Sequence, residues 1–243
     1  MKIIDAIWEK RNLGVDVLEI NCSAQDTVEE LGDVLESIQT PYSVVKIPTG
    51  CISLLMKSQQ YGYQFIETSF HYEASLKKIV TPSIIDRFMR NVYFAPASES
   101  LKERALDEIK EGLIFSTDRV ALDPRFSPKI SGIRYYNWCI DALGAGADME
   151  VAYFNGEPVA YNISQLDKNR NGVVYGILGG MFSESINKGL GFLLVSCEKE
   201  CCHHLGGRIC AGATSSNNLQ SLRLHMHFGF DITSSDYVLI KHI

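Results

Sequence analysis

Hydrophobic residues recur at two different periods along the chain, and the changes of period separate predicted strands from predicted helices. In the first third, alternating apolar and polar positions predict three strands, at residues 14–22, 42–47 and 65–72. Apolar positions three and four residues apart predict two helices between them, at residues 26–39 and 51–60. Asp26 or Thr27 is the expected N-cap of the first helix, because either side chain can accept a hydrogen bond from its first turn. This order, β-α-β-α-β, predicts a small α/β unit over residues 1–77.

A second unit, residues 78–243, is predicted to begin with helices and to continue mainly as strands. Its predicted helices are at residues 86–91, 100–112, 132–143, 187–204 and 218–228, and its predicted strands at residues 149–154, 159–164, 173–178, 208–214 and 236–241. Residues 95–98 are interpreted as a loop. The Asn-Gly pair at 155–156 predicts a two-residue hairpin turn, and the Gly-Gly pair at 179–180 predicts a bulge or a splayed strand end.

Composition places the chain among ordinary globular proteins. It has 243 residues, of which 46% are hydrophobic and 21% charged, and its formal net charge is −6. That acidic balance argues against a nucleic-acid partner, because phosphate contacts need clustered Lys and Arg. No apolar stretch is long enough to span a membrane, and residues 1–10 lack the apolar core of a signal peptide. We therefore expect a cytoplasmic protein without a membrane partner, whose seven cysteines are reduced thiols.

The segment with the clearest chemistry is the glycine loop, residues 186–192 (Ile-Asn-Lys-Gly-Leu-Gly-Phe), between a predicted strand and a predicted helix. Gly189 and Gly191 allow a tight turn that presents consecutive backbone N–H groups. Together with the positive end of the following helix, such N–H groups bind anions. The segment fits either a pyrophosphate cradle or a plain strand-to-helix turn.

A second motif lies in the predicted helix that starts at residue 218. Its members follow one another at helical spacing: Asn218, Ser221, His225, Gly229 and Phe230. With the glycine loop, this motif resembles the GCN5-related N-acetyltransferase (GNAT) superfamily, which has Gln/Arg-x-x-Gly-x-Gly/Ala in the acetyl-CoA loop and Asn-x-x-Ala/Ser-x-x-x-Tyr-x-x-x-Gly-Phe in a later helix. Two positions depart from these patterns, because Ile186 replaces the Gln or Arg and His225 replaces the Tyr. The resemblance implies an α/β GNAT fold with a central mixed, mostly antiparallel sheet, and acetyl-CoA-dependent N-acetylation.

The resemblance also implies which residues hold acetyl-CoA. Backbone groups of Gly179 and Met181 would pair with the pantetheine arm, and a free N–H there would polarise the thioester carbonyl. The pyrophosphate would be bound by N–H groups of the glycine loop: Asn187, Gly189, Gly191 and Phe192. Asn218 would cap its helix and lie near the pantetheine.

A proton donor follows from the same resemblance, whereas no residue is clearly marked as the base. The family's Tyr protonates the departing CoA thiolate, and His225 can do so in its charged form. The alternative is that His225 only packs and that water protonates the thiolate. Candidates for the base that deprotonates the acceptor amine are Glu150, Glu184 and Tyr175, with a chain of waters as an equal alternative.

Three further segments, at residues 61–68, 118–126 and 135–138, extend the resemblance to nearly the whole chain. They are similar to the sugar-nucleotide acetyltransferases related to TDP-fucosamine acetyltransferase, which carry a small α/β unit before the GNAT core. This implies a nucleotide-linked amino sugar as the acceptor. An amino acid, a peptide or a small-molecule amine is the alternative acceptor, and a non-catalytic CoA-binding module is the alternative function. A homodimer is compatible with the sequence.

Three groups of side chains have both a functional and a structural interpretation. Aromatic residues of one predicted helix can stack on a sugar or base, or pack in the core, which their spacing favours for Trp138: Tyr135, Tyr136 and Trp138. Three arginines can bind a nucleotide diphosphate or form a solvated face: Arg119, Arg125 and Arg134. The Cys and His residues at 197–204 include Cys197 and Cys201 on an apolar helix stripe, without a second ligand pair at zinc spacing. We therefore expect these two cysteines in the core and no bound metal.

Overall fold

The computed structural model of the protein describes residues 1–112 and 116–243, which form one sheet with helices on both faces. The strands of this described part are β1 (Lys2–Asp5), β2 (Val17–Asn21), β3 (Tyr42–Pro48), β4 (Gln64–Ser75), β5 (Val92–Pro96), β6 (Asp148–Phe154), β7 (Glu157–Leu166), β8 (Val173–Met181), β9 (Ile209–Ser215) and β10 (Asp231–His242). Its α-helices are α1 (Ile7–Leu13), α2 (Val28–Ser37), α3 (Ile52–Gln60), α4 (Asp86–Met89), α5 (Glu99–Glu111), α6 (Arg119–Leu122), α7 (Pro128–Gly144), α8 (Leu193–His204) and α9 (Leu219–His227).

The predicted fold class, a mixed and mostly antiparallel sheet in an α/β protein, is confirmed. Among the described strands, the pairs β2–β3 and β8–β9 are parallel, and every other neighbouring pair is antiparallel. Each parallel pair is joined by a crossover helix, α2 in the first pair and α8 in the second. Thr27 begins α2 with a capping box, because its side chain accepts from the N–H of Glu30 while the Glu30 side chain accepts from the N–H of Thr27.

The strand order, β1-β2-β3-β10-β4-β9-β8-β7-β6-β5, shows that the two parts of the chain exchange a strand. β10 pairs with β3, β4 pairs with β9, and β4 and β10 pair with each other. The parallel pair β2–β3 of the first part is thus extended by β10 of the second part. The parallel pair β8–β9 of the second part is extended by β4 of the first, so the order of these strands is symmetric about the β10–β4 contact. The predicted boundary between residues 77 and 78 stays a prediction; β10 connects the strands on either side of it into one sheet.

Alternate residues of the strands reach the two helical layers. On β7, Tyr161 and Ile163 pack in a cluster with α5 and α7, whereas Ala160 packs in a cluster with Leu193 and Cys197 of α8. The sheet of the second part is therefore buried on both faces, as the two-residue period of a strand requires. Among the described helices, none combines the length and the apolar composition needed to cross a bilayer.

Two features of the second unit differ from the prediction. Residues 95–98 are not all loop, because β5 continues through Pro96 and pairs with β6. Proline is tolerated there since β5 is the last strand of the sheet and its outer edge needs no N–H donor. The helix predicted from residue 187 starts only at Leu193, because Asn187 (φ 65°) and Gly189 (φ 75°) adopt left-handed backbone conformations that a helix cannot include.

The hairpin turn at Asn155-Gly156 lies where the sequence predicts it, and β8 has a bulge two residues before the predicted position. Asn155 (φ 53°) and Gly156 (φ 86°) both have positive φ, as a type I′ turn requires. The register of β8 against β7 jumps from Gly176 to Leu178, so the bulge lies at Ile177. The strand passes through the predicted position, residues 179–180, without interruption.

Candidate active site

β8 and β9 part in the middle of the sheet and open a cleft. They pair only over Val173–Tyr175 and Ile209–Ala211. From Gly176 onward, β8 keeps its partner β7 on one edge, but its other edge has no strand partner among the described residues. The resulting cavity, called the cleft below, has a volume of about 780 Å³ and is lined by both strands, α7 and α9. An open strand edge inside a cavity can pair with an extended ligand that carries amide groups.

The glycine loop lies at one end of the cleft, just before α8. Its Gly191 and Phe192 line the cavity, whereas Asn187 and Gly189 are exposed at its rim. The N–H groups of Gly189, Gly191 and Phe192 have no hydrogen-bond partner within the described residues. Unpaired N–H groups at the start of a twelve-residue helix are what a pyrophosphate cradle requires. Anion binding by this loop stays a prediction.

Asn218 caps α9 as predicted, and it also lines the cleft. Its Oδ1 accepts a hydrogen bond from the N–H of Ser221 at 3.1 Å. The replacement Asn218→Ala is expected to lower the free energy of unfolding by about 1 kcal/mol, a loss of about 2–4 °C in Tm for a chain of this size. Thermal unfolding followed by circular dichroism measures it, and Asn218→Ser, which keeps an acceptor oxygen, should retain most of the stability.

His225 is buried on α9 with both ring nitrogens engaged. Nδ1 lies 2.8 Å from the carbonyl oxygen of Ser221, and Nε2 lies 3.0 Å from Oε2 of Glu198. The ring stacks on Tyr72 with centroids 4.1 Å apart. Burial lowers the pKa of His225, but the Glu198 carboxylate outweighs burial and leaves the pKa above its ordinary value. The ring lines the cleft, yet a direct proton transfer from it would have to break one of these two hydrogen bonds.

Glu198 is a candidate that our sequence reasoning missed. It lies on α8, is 4% exposed and lines the cleft. The available signal is its position four residues after Leu194 and three before Cys201, which places an acidic side chain within the buried stripe of α8. A buried carboxylate is costly unless it is paired, and His225 supplies the partner.

The predicted bases lie in different places. Among the residues that line the cleft, Tyr175 occurs but Glu150 and Glu184 do not. Glu150 is held by His204 at 2.8 Å, beside α8. Glu184 is exposed and pairs with Arg104. The structure therefore brings Tyr175 to the cleft and engages the two carboxylates elsewhere, so their role as bases has no support from position.

The acidic and histidine side chains at the end of α8 form a separate group. Glu200, His203 and His204 bring their ligand atoms within 4.8 Å of one another, the one such cluster in the described part of the chain. Cys197 and Cys201 do not belong to it, because both are buried in the core as predicted. The absence of a metal stays a prediction.

A further part of the cleft lining consists of charged and aromatic side chains, among them Lys46, Glu67 and Trp138. Val238 of β10 lies directly opposite Lys46 of β3 on one side and Glu67 of β4 on the other. Because residues opposite one another in a sheet share a face, these three side chains project from the same face. Oε2 of Glu67 is buried and has no hydrogen-bond partner within residues 1–112 and 116–243. Burial raises the pKa of the Glu67 carboxyl above its ordinary value, against the lowering effect of Ser215. Such a carboxylate is available to an incoming cation.

The helix α7 places its aromatic residues differently from the prediction. Trp138 is 41% exposed and lines the cleft, so its interpretation as a core residue is wrong. Tyr135 lines the cleft and also packs against the cluster between α5 and α7, and Tyr136 packs against that cluster without lining the cleft. The fully buried positions of α7 are occupied by smaller residues such as Cys139 and Ala142.

Two of the three arginines form neither a solvated face nor a free anion site. Arg119 donates to Glu9 at 3.0 Å and to Glu19 at 2.7 Å. Arg134 donates to both carboxylate oxygens of Glu9, from Nε at 2.8 and 2.9 Å. This buried cluster neutralises both guanidinium groups, while Arg125 is exposed on the loop before α7.

Comparison with known proteins shows the fold. No family model matches the chain, and no curated protein matches it. A GCN5-related N-acetyltransferase from Kribbella flavida is similar with a TM-score of 0.60 at 14% identity, covering 93% of this chain and 81% of that one. A conserved protein of unknown function from Staphylococcus epidermidis gives 0.61 at 12% identity, covering 94% and 84%. The GCN5-related glucosamine N-acetyltransferase region of a fungal multi-domain GH3 beta-N-acetylglucosaminidase gives 0.57 at 12% identity, covering 81% of this chain and 25% of that one. The chain therefore has the fold of the GCN5-related N-acetyltransferases.

Proposed function

We propose that the protein is an N-acetyltransferase that moves an acetyl group from acetyl-CoA to an amine. The observation that carries the proposal is the parting of β8 and β9 at Gly176, directly beside a glycine loop with unpaired N–H groups. A pantetheine arm can complete the open edge of β8 over Gly179 and Met181 by pairing its amides with the strand. The pyrophosphate can then be bound at the start of α8.

Acetyl-CoA supplies a thioester, and the residues of the cleft supply the environment for its reaction. An N–H group on the open edge of β8 can stabilise the charge that develops on the carbonyl oxygen. The buried pair of His225 and Glu198 belongs to α9 and α8, whereas Glu67 and Trp138 belong to β4 and α7. Both sets of side chains line one cavity, which supports direct transfer from donor to acceptor within it.

An amino sugar, free or linked to a nucleotide, is the acceptor class that we propose. A glucosamine N-acetyltransferase region shares the fold, and the rings of Tyr135 and Trp138 at the cleft suit a sugar face. Glu67 offers a carboxylate for the ammonium group. Arg119 and Arg134 are already paired with carboxylates, so they do not support the binding of a diphosphate. Whether the sugar carries a nucleotide is decided by the acceptor screen.

A screen of acceptors tests the function and the acceptor class together. The purified protein is incubated with acetyl-CoA and separate amines: glucosamine, a dTDP- or UDP-linked 4-amino sugar, a mixture of amino acids, and a peptide. Free CoA thiol is measured, and acetylated product is identified by mass spectrometry. We expect acetylation of an amino sugar. Preference for an amino acid or a peptide would overturn the acceptor class, acetyl-CoA binding without any transfer would favour a non-catalytic module, and failure to bind acetyl-CoA would overturn the function.

Glu67→Gln should weaken the acceptor and leave the donor unaffected. A hydrogen bond to a charged group contributes about 1.5–3 kcal/mol, so the KM for the amine should rise roughly 10- to 100-fold. The KM for acetyl-CoA should stay within about twofold of the original, since Glu67 belongs neither to the glycine loop nor to the open edge of β8. Glu73→Gln, on the same strand but paired with Arg170 outside the cleft, is the matched control and should change neither constant.

A further inference from the structure

The proton positions of the His225–Glu198 pair follow from its hydrogen bonds. The carbonyl of Ser221 can only accept, so Nδ1 of His225 carries a hydrogen and donates it at 2.8 Å. Nε2 is therefore the nitrogen that gains or loses a proton, and it lies 3.0 Å from Oε2 of Glu198. With a proton on Nε2, the imidazolium donates to both partners and leaves Glu198 as a carboxylate.

The second oxygen of Glu198 is the free atom of this pair. Oε1 is buried and has no hydrogen-bond partner within the described residues. It lies against the backbone of Gly176, because a Cβ added there would be only 3.2 Å from Oε1. Gly176 is the first residue of β8 beyond the paired segment, so Oε1 faces the point where the two strands part. A buried acceptor with no donor is costly in the empty protein and is available to a donor that a ligand brings.

The other titratable groups around Glu198 are neutral at ordinary pH. Tyr72 of β4, Tyr175 of β8 and Cys210 of β9 interact with its charge. Burial raises the pKa of both tyrosines, and a hydrogen bond with Cys202 together with burial raises the pKa of Cys210. Within the described residues, the one ion pair of Glu198 is that with His225.

We propose that Glu198 is the proton carrier of the reaction, acting through Oε1, and that His225 is a positioning residue that holds the carboxylate through Nε2. The inference rests on the proposed function. The acceptor arrives as an ammonium and first releases one proton to water, which leaves the neutral amine. Its nitrogen attacks the thioester carbon with its electron pair, the C–S bond breaks, and the electron pair of that bond remains on sulfur. The second proton that nitrogen loses passes to Oε1 of Glu198 and from there to the thiolate, which leaves as CoA thiol. Glu198 returns to its starting protonation state, and the net reaction releases one proton to solvent.

Glu198→Gln keeps the shape of the side chain and removes the proton acceptor. With an amine identified by the acceptor screen, we expect kcat to fall about 10²–10⁴-fold, with the dissociation constant for acetyl-CoA changed less than about threefold. Glu200→Gln, two residues further along α8 and outside the cleft, is the matched control and should keep kcat unchanged. Circular dichroism of the same samples shows that each variant is folded, and calorimetric titration gives its dissociation constant for acetyl-CoA.

His225→Gln gives the second readout. Its amide can still donate to Glu198 but carries no charge, so kcat should fall less than in Glu198→Gln, and the acid limb of its pH profile should move to higher pH. An unchanged kcat in Glu198→Gln would overturn the relay while acetyl transfer by the original protein keeps the proposed function intact. Loss of acetyl-CoA binding in Glu198→Gln would assign Oε1 to a contact with the donor and would also overturn it. A larger loss of kcat in His225→Gln than in Glu198→Gln would show that the imidazole of His225, and not Glu198, carries the proton, and would overturn the proposal.

Discussion

Replacement of Glu9 by alanine is expected to lower the free energy of unfolding by about 3–5 kcal/mol. Glu9 is 1% exposed and accepts from both Arg119 and Arg134. Its removal leaves the buried guanidinium of Arg119 and the partly buried one of Arg134 with Glu19 as the one remaining ion-pair partner among the described residues, and Glu19 pairs with Arg119. Because these residues connect α1 to α6 and α7, the same change should loosen the α7 wall of the cleft. Urea denaturation gives the size of the effect.

The neighbouring ion pair of Lys10 with Asp16 is the matched control, since both side chains are more than half exposed. Asp16→Ala should therefore produce no measurable loss of stability. An equally small effect of Glu9→Ala would show that the buried cluster does not contribute to the fold. The loss of stability in Glu9→Gln should lie between those of Asp16→Ala and Glu9→Ala, because glutamine keeps an oxygen that accepts hydrogen bonds but loses the negative charge.

Acid titration reports on the same cluster. Burial raises the pKa of Glu9, but Arg134 and Arg119 outweigh it and leave the pKa below its ordinary value of 4.5. For Glu19, burial is likewise outweighed, by Arg119 and Lys46, which lower its pKa to about 2. A lowered folded pKa stabilises the protein above the unfolded pKa, so this contribution is lost as the pH falls from 4.5 toward 2. The Glu9→Ala variant should show a shallower loss of stability in that interval.

Gly132→Ala is expected to destabilise the protein by about 1–3 kcal/mol, although alanine favours an isolated helix by about 1 kcal/mol over glycine. Gly132 lies in α7, where an added Cβ would be 2.6 Å from the Cα of Gly112 and 2.7 Å from the carbonyl oxygen of Lys110. These are backbone atoms at the end of α5, so no side chain can rotate away. Either the two helices separate or the methyl group is strained, and Tm measures the cost.

Gly144→Ala, at the other end of α7, is the control for helix propensity. No atom lies within 4 Å of its added Cβ in the described structure. It should leave Tm unchanged or raise it slightly. Equal changes in Tm for Gly132→Ala and Gly144→Ala would contradict the prediction. They would show that the distance between α5 and α7 does not depend on the missing side chain of Gly132.

The predictable parts of the fold are those whose local pattern agrees with their final environment. The spacing of apolar residues, with Asp26 or Thr27 as the cap, predicts the helix α2, and the structure selects Thr27. The backbone conformation that Asn155-Gly156 favours predicts the hairpin turn. The glycines at 179–180 predict that β8 parts from the next strand near its end. In the structure β8 and β9 part from Gly176, three residues before the predicted position. Asn218 was identified as a cap because its side chain acts on its own turn.

The unpredicted parts depend on contacts between distant segments. β1 has four residues and is defined by its register with β2, so no period is long enough to reveal it. The exchange of β4 and β10 leaves no trace in local hydrophobicity, because each alternates as any edge or central strand would. Glu198 is an acidic residue whose burial depends on His225 of a different helix, and Glu67 is one whose Oε2 is buried within the cleft. Neither environment can be read from the residues around it in the sequence. Trp138 was misplaced for the converse reason, since its side of α7 faces a cavity.

The exchange of strands sets a condition on the order in which the chain can fold. β3 and β4 are not neighbours, because β10 lies between them, more than 150 positions later in the sequence. While the chain is being synthesised, both strands expose unpaired N–H and C=O groups until residues 231–242 have left the ribosome. During synthesis the first unit is therefore a nascent segment whose inner strand edges stay open, and open edges favour aggregation. Pairings across such sequence separations are slow to form, so the insertion of β10 between β3 and β4 is expected to be a slow step of folding.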